Sequence, residues 1–133
     1  MKPGARILLV DDNADFREIL KTVLQDKGFQ IGEAQDGQEA LERMASEVYQ
    51  MAIVDLDMPR MNGLDFTRAV KRTNPAFPVM MITAYAQFYS PGEILAAGVD
   101  AFLQKPVDFG RLSKAIEGLG EGRPGVRNGK KGG

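Results

Sequence analysis

Short apolar runs alternate along the chain with segments in which apolar residues recur every three or four positions. The runs are Ile7–Val10, Gln30–Ala34, Met51–Asp55, Val79–Thr83 and Ala101–Gln104. Three of them, ILLV, MAIV and VMMIT, are almost continuously apolar, the pattern of strands covered on both faces of a parallel sheet. Between the runs, Phe16, Ile19, Leu20, Val23 and Leu24 keep i, i+3, i+4, i+7, i+8 spacing, with Asn13 or Asp12 to open a helix and Gly28 to close it. Asp36 followed by Glu39 predicts a capping-box start for a helix carrying Ala40, Leu41 and Met44. A third helix is predicted from Gly63 to Thr73, ending before Asn74–Pro75. Ser90-Pro91-Gly92-Glu93 combines an N-cap, a proline at the first helical position and the closing glutamate of a capping box. It predicts a short helix over Pro91–Ala97 after a long aromatic loop, Ala84–Tyr89. A last helix starts at Asp108, with Val107 positioned to staple against Leu112 and with Phe109, Leu112, Ile116 and Leu119 on one side. Strand–helix alternation repeated five times predicts an α/β fold, a single doubly wound parallel sheet of five strands with helices on both faces.

Composition narrows the chemistry. The 133 residues are the size of one domain. There is no cysteine, which excludes disulfides and thiolate sites, and no histidine, which excludes His–metal sites, Ser–His–Asp catalysis and a phosphohistidine on this chain. The net charge of −1 argues for neither nucleic acid nor a membrane surface as partner. The charge is uneven, however. Four of the 17 Lys/Arg and one of the 18 Asp/Glu fall in residues 120–133, giving that segment +3 and residues 1–119 a balance of −4. With six glycines and no apolar period, residues 120–133 are expected to be a flexible basic tail or the start of a linker. No apolar run approaches the length of a membrane span, so a cytoplasmic protein is expected.

In open α/β sheets, ligands bind beyond the carboxyl ends of the strands, where the strand order switches. The residues ending the strands are Asp11 and Asp12, Asp55, Thr83 and Lys105. Singly each has an ordinary reading, as a helix cap, a turn residue, a strand former or a surface lysine. Together they put three carboxylates, a hydroxyl and an ammonium on one edge. Crowded carboxylates raise one another's pKa unless a cation intervenes. Mg²⁺ suits such a set, since it takes one or two carboxylates together with waters and phosphate oxygens. With all three aspartates ionised, Mg²⁺ bound and Lys105 protonated, the site sums to zero. An aspartyl phosphate at Asp55, of charge about −2, brings it to about −1 and adds acceptor oxygens that the Thr83 hydroxyl is placed to meet.

The runs ILLVDDN at 7–13, IVDLDMPRMNG at 53–63, MITAY at 81–85 and FLQKP at 102–106, in order and at family-like spacing, resemble the response-regulator receiver family over residues 5–119. The resemblance implies the flavodoxin-like strand order 2-1-3-4-5. It implies Asp55 as phosphoacceptor, Asp12 as direct Mg²⁺ ligand, Asp11 as a ligand through water, and the backbone carbonyl of Asp57 as a further ligand. Lys105 is then the lysine that pairs with the carboxylate or phosphoryl group, Thr83 the switch hydroxyl, Pro106 a cis-type proline, and Phe102 the switch aromatic, here without the hydroxyl of the more common tyrosine. Asp57 adds a carboxylate two residues after the phosphoacceptor, with a bearing on phosphoryl hydrolysis. Phe88 and Tyr89 are expected to be exposed, packing on the domain or contributing to an output surface.

The function so implied is a signalling switch and not an enzyme. It catalyses only its own phosphorylation, from a histidine kinase or histidine phosphotransfer protein, and slow autodephosphorylation. Its output goes to a protein partner through the fourth helix, fifth strand and last helix, with no direct nucleic-acid and no membrane contact expected. Three other readings stand beside it. Asp55-Leu56-Asp57 also fits the D-x-D start of a haloacid-dehalogenase-type phosphatase, but there the acidic pair follows the motif, whereas Asp11–Asp12 precede it. A flavodoxin would lead its first strand into a Ser/Thr/Gly-rich phosphate loop, not into Asp-Asp. A receiver fold serving as a phosphorylation-independent interaction module is the third.

Overall fold

The computed structural model describes residues 1–120, so all but the first residue of the expected basic tail lies outside the described residues. The elements follow as β1 (Arg6–Val10), α1 (Ala14–Asp26), β2 (Gln30–Ala34), α2 (Gly37–Ser46), β3 (Met51–Asp55), α3 (Gly63–Thr73), β4 (Val79–Thr83), a single 3-10 turn (Ala86–Phe88), α4 (Pro91–Ala97), β5 (Ala101–Gln104) and α5 (Phe109–Gly120). All strand pairings are parallel, in the order β2-β1-β3-β4-β5.

Alternation along each inner strand feeds two cores. Leu8, Val10, Ala52, Val54 and Val79 face Ala40 of α2 and Phe66 and Val70 of α3. Ile7, Leu9, Met51, Ile53, Met80 and Ile82 face Leu20 and Leu24 of α1 and Leu112 and Ile116 of α5. A third cluster of Leu56, Leu64, Met81, Ile94 and Ala97 lies under α4, with Tyr89, Val99 and Phe102 packed against it. The strands that read as continuously apolar are the central ones, buried on both faces, while β2 and β5 form the edges.

The helix ends obey local chemistry. Asn13, Asp36, Asn62 and Ser90 each accept from a backbone N–H in the first turn of the helix they cap. Ser90 and Glu93 complete a reciprocal capping box, and Asp108 accepts from Gly110 and Arg111 at the start of α5. Glu39 departs from the expected box, accepting from the backbone of Gln35 and not from that of Asp36. Two apolar positions also depart from expectation. Ile19 is 52 % exposed and Phe109 is 40 % exposed. Ile19 stands at the edge of the α1 stripe, and Phe109 is the first residue of α5, ahead of the Leu112 and Ile116 positions that reach the sheet.

The chain runs outward from central β1 to β2 and then returns across β1 to β3, so the strand order switches between β1 and β3. The carboxyl ends of those two strands, and of β4 beside them, therefore border one crevice.

Candidate functional site

Asp11 follows β1 and is 4 % exposed. Its Oδ1 accepts from the backbone of Asn13 at 2.8 Å, and its carbonyl accepts from Arg17 Nη1. Arg17 also pairs with Glu33 at 3.0 Å, so one guanidinium on α1 braces the acidic pair against the sheet's edge. Asp12, next in the chain, is exposed at the mouth of the site.

Asp55 ends β3 and is 8 % exposed. Gly63 presses against it from the start of α3. A Cβ there would lie 2.5 Å from the Asp55 carbonyl oxygen and 3.0 Å from Leu56 Cα, so this position has no room for a side chain. Carboxylate oxygens of Asp11, Asp12 and Asp55 all lie within 4.8 Å of one another.

Lys105, just past β5, reaches into this group. Its Nζ is 3.1 Å from Asp11 Oδ2, 3.7 Å from Asp55 Oδ2 and 4.2 Å from the centroid of the Phe16 ring. The ammonium is thus held between two carboxylates and the face of an aromatic ring, a favourable position for a cation. The following peptide, Lys105–Pro106, is cis. One lysine does not balance three carboxylates. Burial, then the Asp11 charge, push the Asp55 carboxyl up to about 6 against the pull of Lys105. A donor set of clustered, partly buried carboxylate oxygens short of positive charge is the chemistry of a hard-cation site, and it fits Mg²⁺.

Thr83 is buried at the end of β4. Its Oγ1 accepts from the Tyr85 backbone at 2.9 Å and donates to Asp57 Oδ2 at 3.4 Å. Asp57 in turn donates its N–H to Asp55 Oδ1 at 3.3 Å. The other Asp57 oxygen accepts from the hydroxyl of Tyr89 at 2.5 Å, and that bond pushes the Tyr89 phenol up to about 12. Phe102 is half-buried on β5, against the cluster under α4. The fold therefore gathers Asp11, Asp12, Asp55 and Lys105 directly, brings Thr83 alongside through Asp57, and leaves Phe102 on the edge strand β5, against the cluster under α4.

Sequence reasoning missed several neighbours. Phe88 is exposed as expected, at 73 %, but Tyr89 turns inward to the site. Phe16 read as a core position, and Arg17 and Arg60 carried no signal. Arg60 adopts φ +66 and pairs with the buried Asp36, tying the loop after Asp55 to the start of α2. Backbone bonding from Glu39 and the Arg60 guanidinium hold the Asp36 carboxyl below its usual range.

This doubly wound sheet, with an acidic cluster and a lysine at its switch point, defines a class of signalling domain. The response regulator receiver domain matches residues 7–117, and the chain belongs to that family, which serves two-component systems. It is 34 % identical over 111 residues to the transcriptional regulatory protein ZraR of Escherichia coli K12, covering 84 % of this chain and 25 % of that protein. It is 33 % identical over 114 residues to the two-component response regulator PhoP of Pseudomonas aeruginosa, covering 86 % and 51 %. The chain thus spans a quarter to a half of the length of these relatives. Among solved structures, the response regulator TrrA of Thermotoga maritima, in complex with Mg(2+)-BeF, is 31 % identical with a TM-score of 0.80, over 86 % of this chain and 98 % of that one. Vibrio cholerae CheY4 is 31 % identical with a TM-score of 0.79, over 87 % and 98 %.

These findings agree with the family and strand order implied by the motifs, and they set the phosphatase and flavodoxin readings aside. The names are those of signalling proteins. They give no support to the expectation of no nucleic-acid contact, because several relatives are transcriptional regulators. Among the described residues, no helix is long and apolar enough to cross a membrane.

Proposed function

We propose that this receiver works by phosphorylation. In the cytoplasm, Asp55 takes a phosphoryl group from the phosphohistidine of a histidine kinase or histidine phosphotransfer protein. A domain of residues 1–119 then presents an altered face, formed by α4, β5 and α5, to a downstream protein, with residues 120–133 as tail or linker. The observation that carries this reading is the convergence of the Asp11, Asp12 and Asp55 carboxylate oxygens within 4.8 Å, with Lys105 beside them.

Asp11, Asp12 and Asp55, with the backbone carbonyl of Asp57, would hold Mg²⁺. When bound, it would supply the positive charge that offsets crowded phosphoryl and carboxylate oxygens. An Asp55 carboxylate oxygen attacks phosphorus, the P–N bond to the donor's imidazole breaks, and the ring nitrogen leaves with the electron pair. Lys105 places its ammonium where charge gathers on the phosphoryl oxygens. The Thr83 hydroxyl turns from Asp57 to the new phosphoryl oxygen. A hydrogen bond to a charged group is worth about 1.5–3 kcal/mol, or a roughly 10–150-fold shift between two arrangements. Phe102 then moves into the space that Thr83 leaves.

Incubation with acetyl phosphate and Mg²⁺ is expected to add one labile phosphate by intact mass. Asp55→Asn is expected to acquire none. Equal labelling of that variant would reject the assignment, and unlabelled parent protein would favour the phosphorylation-independent module.

A further inference from the structure

Both ends of the loop between β4 and α4 are tied to a single carboxylate. Thr83, the last residue of β4, donates to Asp57 Oδ2 at 3.4 Å, and Tyr89, the residue before the α4 N-cap, donates to Asp57 Oδ1 at 2.5 Å. Between these two feet lie the 3-10 turn and the exposed rings of Tyr85 and Phe88, whose centroids are 6.1 Å apart. The two bonds are unequal. The longer sits at the limit for a hydrogen bond, while the shorter has the length of a charge-assisted O–H···O contact. Tyr89 has a second foothold, since its ring packs on the same apolar cluster as Phe102. Its chain continues into Ser90, whose capping box fixes the start of α4. The Asp57 carboxylate, the course of the loop and the origin of α4 are therefore mechanically one unit.

Resting on the phosphoacceptor reading of Asp55, we propose that the Asp57–Tyr89 hydrogen bond is a latch holding the unphosphorylated arrangement, with Tyr89 a positioning residue that acts through Asp57. A phosphoryl group on Asp55 acts on the latch in two ways. It draws off the Thr83 hydroxyl, which leaves the Asp57 carboxylate with one anchor fewer at the β4 end of the loop. It also sets a charge of about −2 two residues from a half-buried carboxylate, where like charges repel. Asp57 then relaxes toward solvent, Tyr89 is released, and residues 84–88 come free at both ends to present Tyr85 and Phe88 anew. Because the bond is lost on activation, its strength counts against the activated state and against any ligand selecting that state.

Beryllofluoride with Mg²⁺, titrated against the whole chain, reads this directly. Tyr89→Phe keeps the ring and its packing while removing the donor, and it is expected to bind beryllofluoride about tenfold more tightly than the parent, a difference of about 1.4 kcal/mol. In an Asp57→Ala background, where the acceptor is already gone, Tyr89→Phe is expected to change nothing further. A bond that merely braced the fold would lower the thermal midpoint of free and bound protein together and leave the affinity unchanged. Unchanged or weaker binding by Tyr89→Phe overturns the latch, as does an equal gain in both backgrounds. Failure of the parent itself to bind beryllofluoride would bring down the Asp55 reading, and the latch with it.

Discussion

Burial and the neighbouring Asp11 carboxylate raise the Asp55 carboxyl from 3.8 to about 6, and the Lys105 ammonium recovers only part of that cost. A carboxyl whose folded-state pKa lies above its unfolded value contributes stability that is complete below about 3.8 and lost as the pH rises through about 6. In chelator-treated protein near neutral pH, Asp55→Asn is therefore expected to be more stable than the parent. The gain should be roughly 1–2 kcal/mol, less than full conversion of the shift, because water at the mouth of the site screens the charges. The difference should close as the pH falls from about 6 to about 3.8 and Asp55 protonates in the folded protein. Thermal midpoints measured across that range check it, and a pH-independent gap would mean that charge is not the cause. Asp36 behaves in the opposite sense. Its carboxyl is held low by a backbone bond and by Arg60, so its contribution is present above 3.8 and lost in acid.

At the scale of elements, α4 is the shortest of the described α-helices. It has seven residues, too few to be stable alone, and it rests on Ile94 and Ala97 below and the Ser90–Glu93 box at its start. Ser90→Ala is expected to cost about 1 kcal/mol. The effect should concentrate in faster hydrogen exchange of the α4 amides, with the amides of central strands β1 and β3 little changed. Uniform acceleration across the sheet would show that α4 does not open independently. The same local chemistry made the helix limits legible, since α3 and α4 span the residues read from Gly63, Asn74–Pro75 and the Ser-Pro-Gly-Glu run. Periodicity was less reliable at the margins. Ile19 and Phe109 fit their stripes by spacing, yet both are exposed, because burial depends on what lies opposite.

For the whole molecule, the site and the α4–β5–α5 face are joined through Thr83, Asp57, Tyr89 and the cluster holding Phe102. Beryllofluoride is expected to shift amides across residues 84–97, 101–104 and α5, and Thr83→Ala to suppress those shifts while sparing those at Asp55. Shifts confined to the Asp55 pocket would mean that the signal leaves by another route. By itself the sequence determined the order of elements, the helix caps, the two-faced burial of β1, β3 and β4, and the short list of chemically able residues at the strand ends. Each of these depends on neighbours a few positions away or on a strand's own alternation. The tertiary structure alone decided that Lys105 lies over Phe16, that Arg60 pairs with Asp36, and that Tyr89 reaches Asp57 across 32 residues of chain. Such contacts join side chains from separate elements and loops, and their pairing is set by the strand order and the path of each loop, which no local spacing encodes.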